Sequence, residues 1–561
     1  MARGSKNDGT PTGPPAGPPT DWVTRAADDA IRHAGELGDH GLITCASGIS
    51  PSGPIHLGNL REFLTVHFVV EEIRRRGLPV RHLHSWDDFD RFRKVPVGVD
   101  ESWSEHIGRP LSAVPDPEGE YPSWAERFKA PLRAALQEMG CEMEEVSQTE
   151  MYAAGTYRDH VLTAVSRRAE IESVMAQFRT KAAAVETDDD EGERGGDLAR
   201  FPYKPYCRGC GRDTVTLTSY DDATTDLAYT CDVCGESHVT NLTTQNEGKL
   251  VWKVDWPMRW AFEGVDFEPG GPDHATPGSS YTVGKQIVGP IFGGRAPSFV
   301  AYSFVGVAGM AKMSSSKGGV PTAADALRIL EAPMLRWLYV RRAPKQVFNI
   351  DFGAEVVRLY DEWDALTKKA QTKSDVTTLA WERASATAAA GLLPTASVSV
   401  PFRLLSSVAD VTAGSADLIS RTVDGSGYAH ASVADLEPRL SKAMTWTADL
   451  PPEERTTVRD SADQNRLGSL SEDEQLWLAQ LLDRLPDVFD SETLTSLIYG
   501  VPKLTRGLGL DDPPTDEVKA DQKVFFKMLY ELLVAAERGP RLPTLFLALG
   551  PDKVRALLGA S

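Results

Sequence analysis

Apolar residues run together over positions 42–48 and are followed by the loop Ile49-Ser50-Pro51-Ser52-Gly53-Pro54, whereas from about 57 to 76 they recur at Leu60, Phe63, Leu64, Phe68 and Val69. The first pattern predicts a buried strand and the second a helix with one apolar face, which Gly77 is placed to cap. A second strand is predicted over 80–86. Strand, glycine-containing loop, helix and strand make a βαβ unit, so the loop after the first strand lies at the carboxyl edge, where doubly wound sheets bind nucleotides. Further strands are predicted at 250–254 and 299–305. Between them and the first unit, residues 92–249 lose the α/β alternation and include an acidic stretch at 186–193, read as a solvated loop. The expectation is one parallel sheet split by a long insertion and closed by the region around Lys312. Beyond 351 the segments are rich in Ala, Leu, Glu and Arg with helical period, for example 524–538, so the C-terminal third is predicted to be all helical.

A length of 561 residues calls for more than one folded unit, and 41% hydrophobic with 25% charged residues is an ordinary globular balance. No apolar run reaches the length of a membrane span, and the first twenty residues, rich in Pro and Gly, lack the apolar core of a secretory signal. They predict a disordered tail at 1–20. A formal charge of −20 argues against coating nucleic acid by bulk attraction, so any such contact must be local. Four of the six cysteines form two C-x-x-C pairs and Cys45 and Cys141 stand alone, a usage that suits a reducing compartment and predicts a cytoplasmic location.

Two short stretches carry the candidate chemistry. Pro51-Ser52-Gly53-Pro54-Ile55-His56-Leu57-Gly58-Asn59 opens the first helix. Gly53 and Gly58 admit a phosphate chain close to the backbone, and the helix N-terminus and His56 offer donors to anionic oxygens. Lys312-Met313-Ser314-Ser315-Ser316-Lys317-Gly318 sets two lysines around three hydroxyls, a set able to hold a triphosphate and stabilise charge as pyrophosphate departs. Taken alone, the second stretch reads equally as a flexible polar turn.

Together the two stretches resemble the signatures of class I aminoacyl-tRNA synthetases. His56-Leu57-Gly58-Asn59 stands for His-Ile-Gly-His, and Lys312 to Ser316 for Lys-Met-Ser-Lys-Ser. Asn59 replaces the second histidine and Ser315 the inner lysine, with Lys317 one place beyond to supply the charge. Those substitutions make the chain similar to the class I lysyl-tRNA synthetases, from about Trp22 through the catalytic region and more weakly through the helical C-terminus. Asp87-Asp88-Phe89-Asp90-Arg91, the stretch from Trp252 to Trp260, and the stretch from Asp273 to Tyr281 also match.

The resemblance implies an α/β fold: a Rossmann-type doubly wound parallel sheet split by a zinc-containing insertion, followed by an all-α anticodon-binding region. The catalytic domain is expected at 21–355, with the insertion at about 92–249, and the helical region at 356–561. The implied reaction joins lysine to ATP, with Mg2+ accompanying the nucleotide, and then passes the lysyl group to tRNA(Lys); the chain is expected to act as a monomer away from membranes. Catalysis falls to His56, Asn59, Lys312 and Lys317, with Pro51, Ser52, Gly53, Gly58, Met313, Ser314, Ser315 and Ser316 completing the ATP site. The lysine site is expected around Gly48 and Ser50, with Glu62, Trp252, Asp255, His274 and Tyr281; buried ammonium groups need carboxylate partners, and Glu62 and Asp255 are the candidates. The bland alternative is that Trp252 and Trp256 are core aromatics and that Asp255 pairs with Arg259.

Cys207-Arg-Gly-Cys210 and Cys231-Asp-Val-Cys234, separated by residues 211–230 and each followed by glycine, have the spacing of a closed four-cysteine zinc ribbon; a redox pair is the rival reading. A second metal site known in similar enzymes is not expected, because Tyr121 and Arg127 stand where histidines would bind. The rival functions are a glutamyl-tRNA synthetase, whose substrate would call for an arginine in the pocket, and a tRNA-binding paralogue that does not charge.

Overall fold

The computed structural model of the chain describes residues 20–36, 41–179, 198, 200–309 and 319–560. They fall into two compact units, one made of Met1–Ala324, Arg336–Ile350 and Leu366–Leu392, the other of Asp325–Leu335, Asp351–Ala365 and Leu393–Ser561. The chain thus passes between units several times between 325 and 393, where the sequence suggests a single boundary at 355/356. Three of the crossings, at 324/325, 335/336 and 365/366, fall inside helices, so no linker composition marks them.

In the sheet-containing unit, α1 (Trp22–Gly35), β1 (Ile43–Ile49), α2 (Leu57–Arg75), β2 (Val80–Trp86), α3 (Trp124–Glu138) and β3 (Glu144–Ser147) come first. Three helices follow, α4 (Gln148–Ala153), α5 (Arg158–Ser166) and α6 (Arg168–Arg179), and then β4 (Tyr203–Pro205), β5 (Val215–Asp221), β6 (Asp226–Cys231), β7 (Ser237–Asn241) and β8 (Gly248–Leu250). The chain then returns to the sheet through α7 (Trp252–Glu263), β9 (Val265–Gly270), α8 (Ser280–Phe292) and β10 (Ser298–Ala301). The sheet has five strands in the order β10-β9-β1-β2-β3, every neighbouring pair parallel. Chain order runs outward from β1 on both sides, so β1 and β9 flank the switch point at which doubly wound sheets hold ligands. One side of the sheet is covered by α1 and α2, whose Ala27, Val66, Val69 and Ile73 pack on Ile43, Cys45 and Phe267.

Three expectations change. The insertion does not begin at 92, because β3 belongs to the sheet; Glu144-Glu145-Val146-Ser147 has too little apolar character to announce a strand. The strand expected at 250–254 is instead the end of β8 followed by α7. The alternation of apolar residues over 250–260 mimics a strand, but Trp252, Trp256 and Trp260 stand four apart on one helix face, the first two stacked with ring centroids 5.3 Å apart and the last two tilted with centroids 4.9 Å apart. The strand expected at 299–305 divides into β10 and β11 (Val305–Val307), the latter paired in parallel with β12 (Phe348–Ile350).

The second unit is helical from Phe402–Val411 to Pro551–Leu557, around a core including Leu481, Ile498, Phe525, Leu532 and Phe546. The helix expected at 524–538 is Asp516–Val534, opened by Thr515, whose side chain accepts from the Val518 N–H. No helix among the described residues is long and apolar enough to cross a membrane.

Candidate functional site

α2 begins immediately after the loop that leaves β1, and its start is built around His56. The imidazole Nδ1 accepts from the Gly58 N–H at 3.0 Å, and the Asn59 Oδ1 accepts from the His56 N–H at 3.2 Å, a reciprocal capping box. With Nδ1 committed as an acceptor, neutral His56 carries its proton on Nε2. Burial lowers its pKa, so the neutral form is favoured. Gly58 is needed for this arrangement, since a Cβ there would lie 2.7 Å from His56 Cε1 and 2.8 Å from Nδ1. The remaining early donors of the helix are also engaged, Leu57 N–H with Pro321 O at 3.1 Å and Asn59 N–H with His56 O at 2.9 Å. The expected row of free helix donors is therefore replaced by one side-chain donor, His56 Nε2–H.

A cavity of about 760 Å³ opens at the switch point, lined among others by Gly48, Ser50, Ser52, His56, Glu62, Trp252 and His274. Glu62 reaches it from α2: its Oε1 accepts from the Gly48 N–H at 2.8 Å and its Oε2 from the Tyr302 hydroxyl at 2.6 Å. Burial raises its pKa to about 8, against the opposing pull of those two hydrogen bonds. Glu268 at the end of β9 accepts from the indole N–H groups of Trp256 at 3.0 Å and Trp260 at 2.6 Å, and burial raises its pKa to about 7. Two carboxyl groups thus face the cavity without a cationic partner in direct contact among the described residues, beside the stacked indoles of Trp252 and Trp256. Such a chamber suits an organic ammonium ion, which would draw both acids to their ionised forms.

Elsewhere along the lining the acids are matched. Asp87 pairs with Arg259 at 2.6 Å and Asp90 with Lys249 at 2.5 Å. Burial raises the pKa of Asp87, although Arg259 opposes the shift. Burial would do the same to Asp90, but Lys249 prevails and lowers it.

Gly48, Ser50, Ser52, His56, Glu62, Trp252 and His274 are therefore brought together as the sequence suggests. Pro51 and Gly53 are buried in the turn and do not line the cavity, and Gly58 and Asn59 act on His56. Two assignments to the lysine site change. Asp255 is fully buried, pairs with Arg259 and accepts from the Tyr152 hydroxyl at 2.5 Å, the bland alternative stated above. Tyr281 does not line the cavity; it stacks on Phe299, with centroids 4.1 Å apart, and donates to Pro297 O at 2.9 Å. Lys312, Met313, Ser314, Ser315, Ser316 and Lys317 lie outside the described residues. Sequence reasoning missed Tyr302, Asp87 and Glu268 as members of the site. Glu268 had a weak signal, an acid near the end of the short strand β9, but Asp266 two residues earlier shares it and pairs with Arg295 instead.

The cysteine pairs converge from the turn between β4 and β5, which carries Cys207 and Cys210, and from the turn between β6 and β7, which carries Cys231 and Cys234. All four sulfurs lie within 4.8 Å of one another, with Cys207 to Cys234 at 3.7 Å and Cys210 to Cys231 at 3.6 Å. Tetrahedral zinc with bonds of about 2.3 Å spaces its sulfurs by roughly 3.8 Å, so the cluster has the size and donor set for that ion. Elsewhere, the Arg127 guanidinium pairs with Asp116 and with Glu118, each at 2.7 Å.

The family described as tRNA synthetases class I (K) matches residues 20–389. A lysine–tRNA ligase of Streptomyces coelicolor is 50% identical over 571 aligned positions, covering 96% of this chain and 98% of its own. One from Thermococcus kodakarensis is 32% identical over 95% of this chain and 98% of its own. A crystal structure of a glutamate–tRNA synthetase from Elizabethkingia anophelis aligns over 92% of this chain and 99% of its own with a TM-score of 0.42 and 13% identity.

Proposed function

The chain belongs to the class I (K) family of tRNA synthetases, and on that premise we propose that it is a lysine–tRNA ligase, which activates L-lysine with ATP and transfers it to tRNA(Lys). The observation that carries this reading is the 50% identity to a lysine–tRNA ligase across 96% of the chain. The chemistry of the cavity agrees with it: Glu62 and Glu268 face a chamber walled by Trp252 and Trp256, a fit for a cationic amino acid rather than an acidic one.

In the first step the lysine carboxylate attacks the α-phosphorus of ATP and pyrophosphate leaves; in the second a terminal ribose hydroxyl of the tRNA takes the lysyl group and AMP leaves. Both steps gain mainly from positioning and from donors aimed at the phosphorus oxygens. His56 Nε2–H is one such donor, neutral and fixed by Gly58 and Asn59, and Ser50 and Ser52 lie on the same rim. Lys312 and Lys317 supply positive charge to the departing pyrophosphate. Mg2+ bound to the nucleotide offsets phosphate charge. Gly48, Ser50, Glu62, Trp252 and His274 receive lysine, joined by Tyr302 and Glu268. Cys207, Cys210, Cys231 and Cys234 hold a structural zinc, the helical region meets the anticodon, and the enzyme works in the cytoplasm as a monomer.

Charging of total tRNA with labelled lysine and, separately, glutamate tests the reading. Lysine incorporation alone is expected. Glutamate incorporation would overturn the pocket, and tRNA binding with no charging would favour a paralogue without synthetase activity.

A further inference from the structure

The ribbon touches the wall of the cavity through the turn that holds Cys207 and Cys210. The segment 87–91, directly after β2, lines the cavity at Asp87, Asp90 and Arg91. On its inner side the Asp87 N–H donates to Ile49 O at 3.0 Å, at the end of β1, and the Asp87 carboxylate pairs with Arg259. Burial, with a smaller contribution from Asp87, raises the pKa of both Glu62 and Glu268. A displacement of Asp87 is therefore felt by both acids of the chamber.

On its outer side the same segment rests on the cysteine turn. The Tyr206 hydroxyl donates to Phe89 O at 2.5 Å, and the two rings lie 5.0 Å apart, both residues buried. Asp213, at the far end of the turn, pairs with Arg91 at 3.4 Å, and its N–H donates to Gly108 O at 2.8 Å. Arg109 donates from Nε to Cys210 O at 3.2 Å. Residues 108–111 are in turn bonded to 90–92, the Phe92 N–H to Arg109 O at 2.7 Å and the Leu111 N–H to Asp90 O at 2.8 Å. Lys249 in β8 completes the grip with its ion pair to Asp90. Within the turn, the Cys207 N–H donates to Arg212 O and the Gly211 N–H to Cys207 O, each at 2.7 Å.

We propose that this turn and Lys249 are positioning groups for the activation of lysine: they fix the segment 87–91, and with it Asp87 and Arg259, so that opening the four-sulfur cluster loosens the amino-acid chamber as well as the ribbon. The kinetic side of the inference rests on the ligase reading given above, and the mechanical link rests on the contacts alone. A ribbon that served only as a separate module would need no more than the neck of β4 and β8, whereas Tyr206, Cys210 and Asp213 make their ties beyond it. A short turn closed by two backbone bonds has little stiffness of its own. Joining four sulfurs that already lie within 4.8 Å of one another is what makes it a firm support. Small displacements of the groups around a substrate are costly, because activation depends on position.

The test compares the full, zinc-retaining enzyme with Y206F and with C210S in two measurements: lysine-dependent ATP–pyrophosphate exchange, which needs no tRNA, and hydrogen exchange of the backbone amides of 87–92. Y206F keeps the ring and every sulfur, so its zinc content and Tm are expected to stay unchanged. Its KM for lysine is expected to rise about five-fold, as for one lost hydrogen bond, while its KM for ATP moves by less than about two-fold and amides 87–92 exchange hydrogen faster. C210S is expected to lose zinc, to show a larger rise in the KM for lysine and to expose the same amides. Faster hydrogen exchange confined to 203–250 in both variants, with an unchanged KM for lysine, would overturn the proposal. So would equal rises of both KM values with a lowered Tm in Y206F, the signature of general destabilisation. If the unaltered enzyme shows no lysine-dependent pyrophosphate exchange, the ligase reading fails, and the hydrogen-exchange comparison still decides the mechanical link.

Discussion

The Tyr302 hydroxyl donates to Glu62 Oε2 at 2.6 Å, joining residues 240 positions apart, while the Gly48 N–H holds the other oxygen at 2.8 Å. The carboxyl group is thereby fixed at the join of α2, β1 and the segment after β10, and burial keeps its pKa near 8 until a cation arrives.

That shift has a definite sign. Glu62 and Glu268 ionise near 4.5 when unfolded but at about 8 and about 7 in the ligand-free fold, so their contribution to stability is present at low pH and is lost as pH rises through those folded values. Bound lysine favours the ionised acids and reverses the trend. Thermal melts are expected to show the ligand-free protein weakening between about pH 4.5 and 8, most steeply below 7 where both acids contribute, and the lysine-induced rise in Tm growing over that interval. A lysine effect independent of pH would remove both acids from the ammonium site.

Glu62 and Asp255 should separate cleanly. E62Q is expected to raise the KM for lysine by roughly 30-fold, about 2 kcal/mol, with little change in stability. D255N leaves the buried Arg259 with Asp87 alone and is expected to cost about 3 kcal/mol in urea unfolding, with a smaller effect on that KM. The opposite ranking in exchange kinetics would restore Asp255 to the substrate.

Around His56 three substitutions form a graded series. H56A is expected to slow ATP–pyrophosphate exchange by about 10²-fold or more through loss of one preorganised donor. G58A should do much of the same damage with the fold intact, because its Cβ displaces the imidazole. N59D keeps the acceptor for the His56 N–H and should stay close to the unaltered enzyme, whereas N59A loses a cap interaction of about 1 kcal/mol. Equal loss in N59D and N59A would mean that the Asn59 amide itself meets the substrate.

Metal analysis is expected to find one zinc per chain, released by C231S. Circular dichroism and limited proteolysis should then show damage centred on residues 203–250, since the turns that bring the sulfurs together rest on a small core of Val215, Tyr229 and the cysteines themselves. Zinc retained after C231S would contradict the four-sulfur site.

The βαβ start was legible because period and punctuation agreed: the apolar run of β1, the spacing of Leu60, Phe63, Leu64 and Phe68, and Gly77 all say the same thing. The cysteine cluster was legible because spacing alone constrains it. Illegible were features set by contacts far along the chain. The pairing of Asp255 with Arg259, four residues on, could be offered only as an alternative, because nothing local shows that Tyr152, 103 positions earlier, completes the burial of that acid, and nothing near Tyr302 announces its bond to Glu62. Tyr281 was placed in the pocket because its stretch matched as a whole, but a helix sends neighbouring side chains in different directions, and the cavity side of that stretch belongs to His274. The alternating tryptophans of α7 misled for the reverse reason, satisfying two periods at once.

β4 and β8 form an antiparallel neck at the base of the ribbon, pairing Tyr203 with Leu250 and Pro205 with Gly248, so tight that a Cβ on Gly248 would fall 2.1 Å from Lys204 O. A module whose two ends are neighbours makes almost no demand on its host: it can be enlarged, trimmed or exchanged in evolution without moving the register of the parallel sheet. This one is not wholly detachable, however. Lys249, inside the neck, extends to Asp90, so any lineage that remodels the ribbon inherits the requirement to keep that one cation in place.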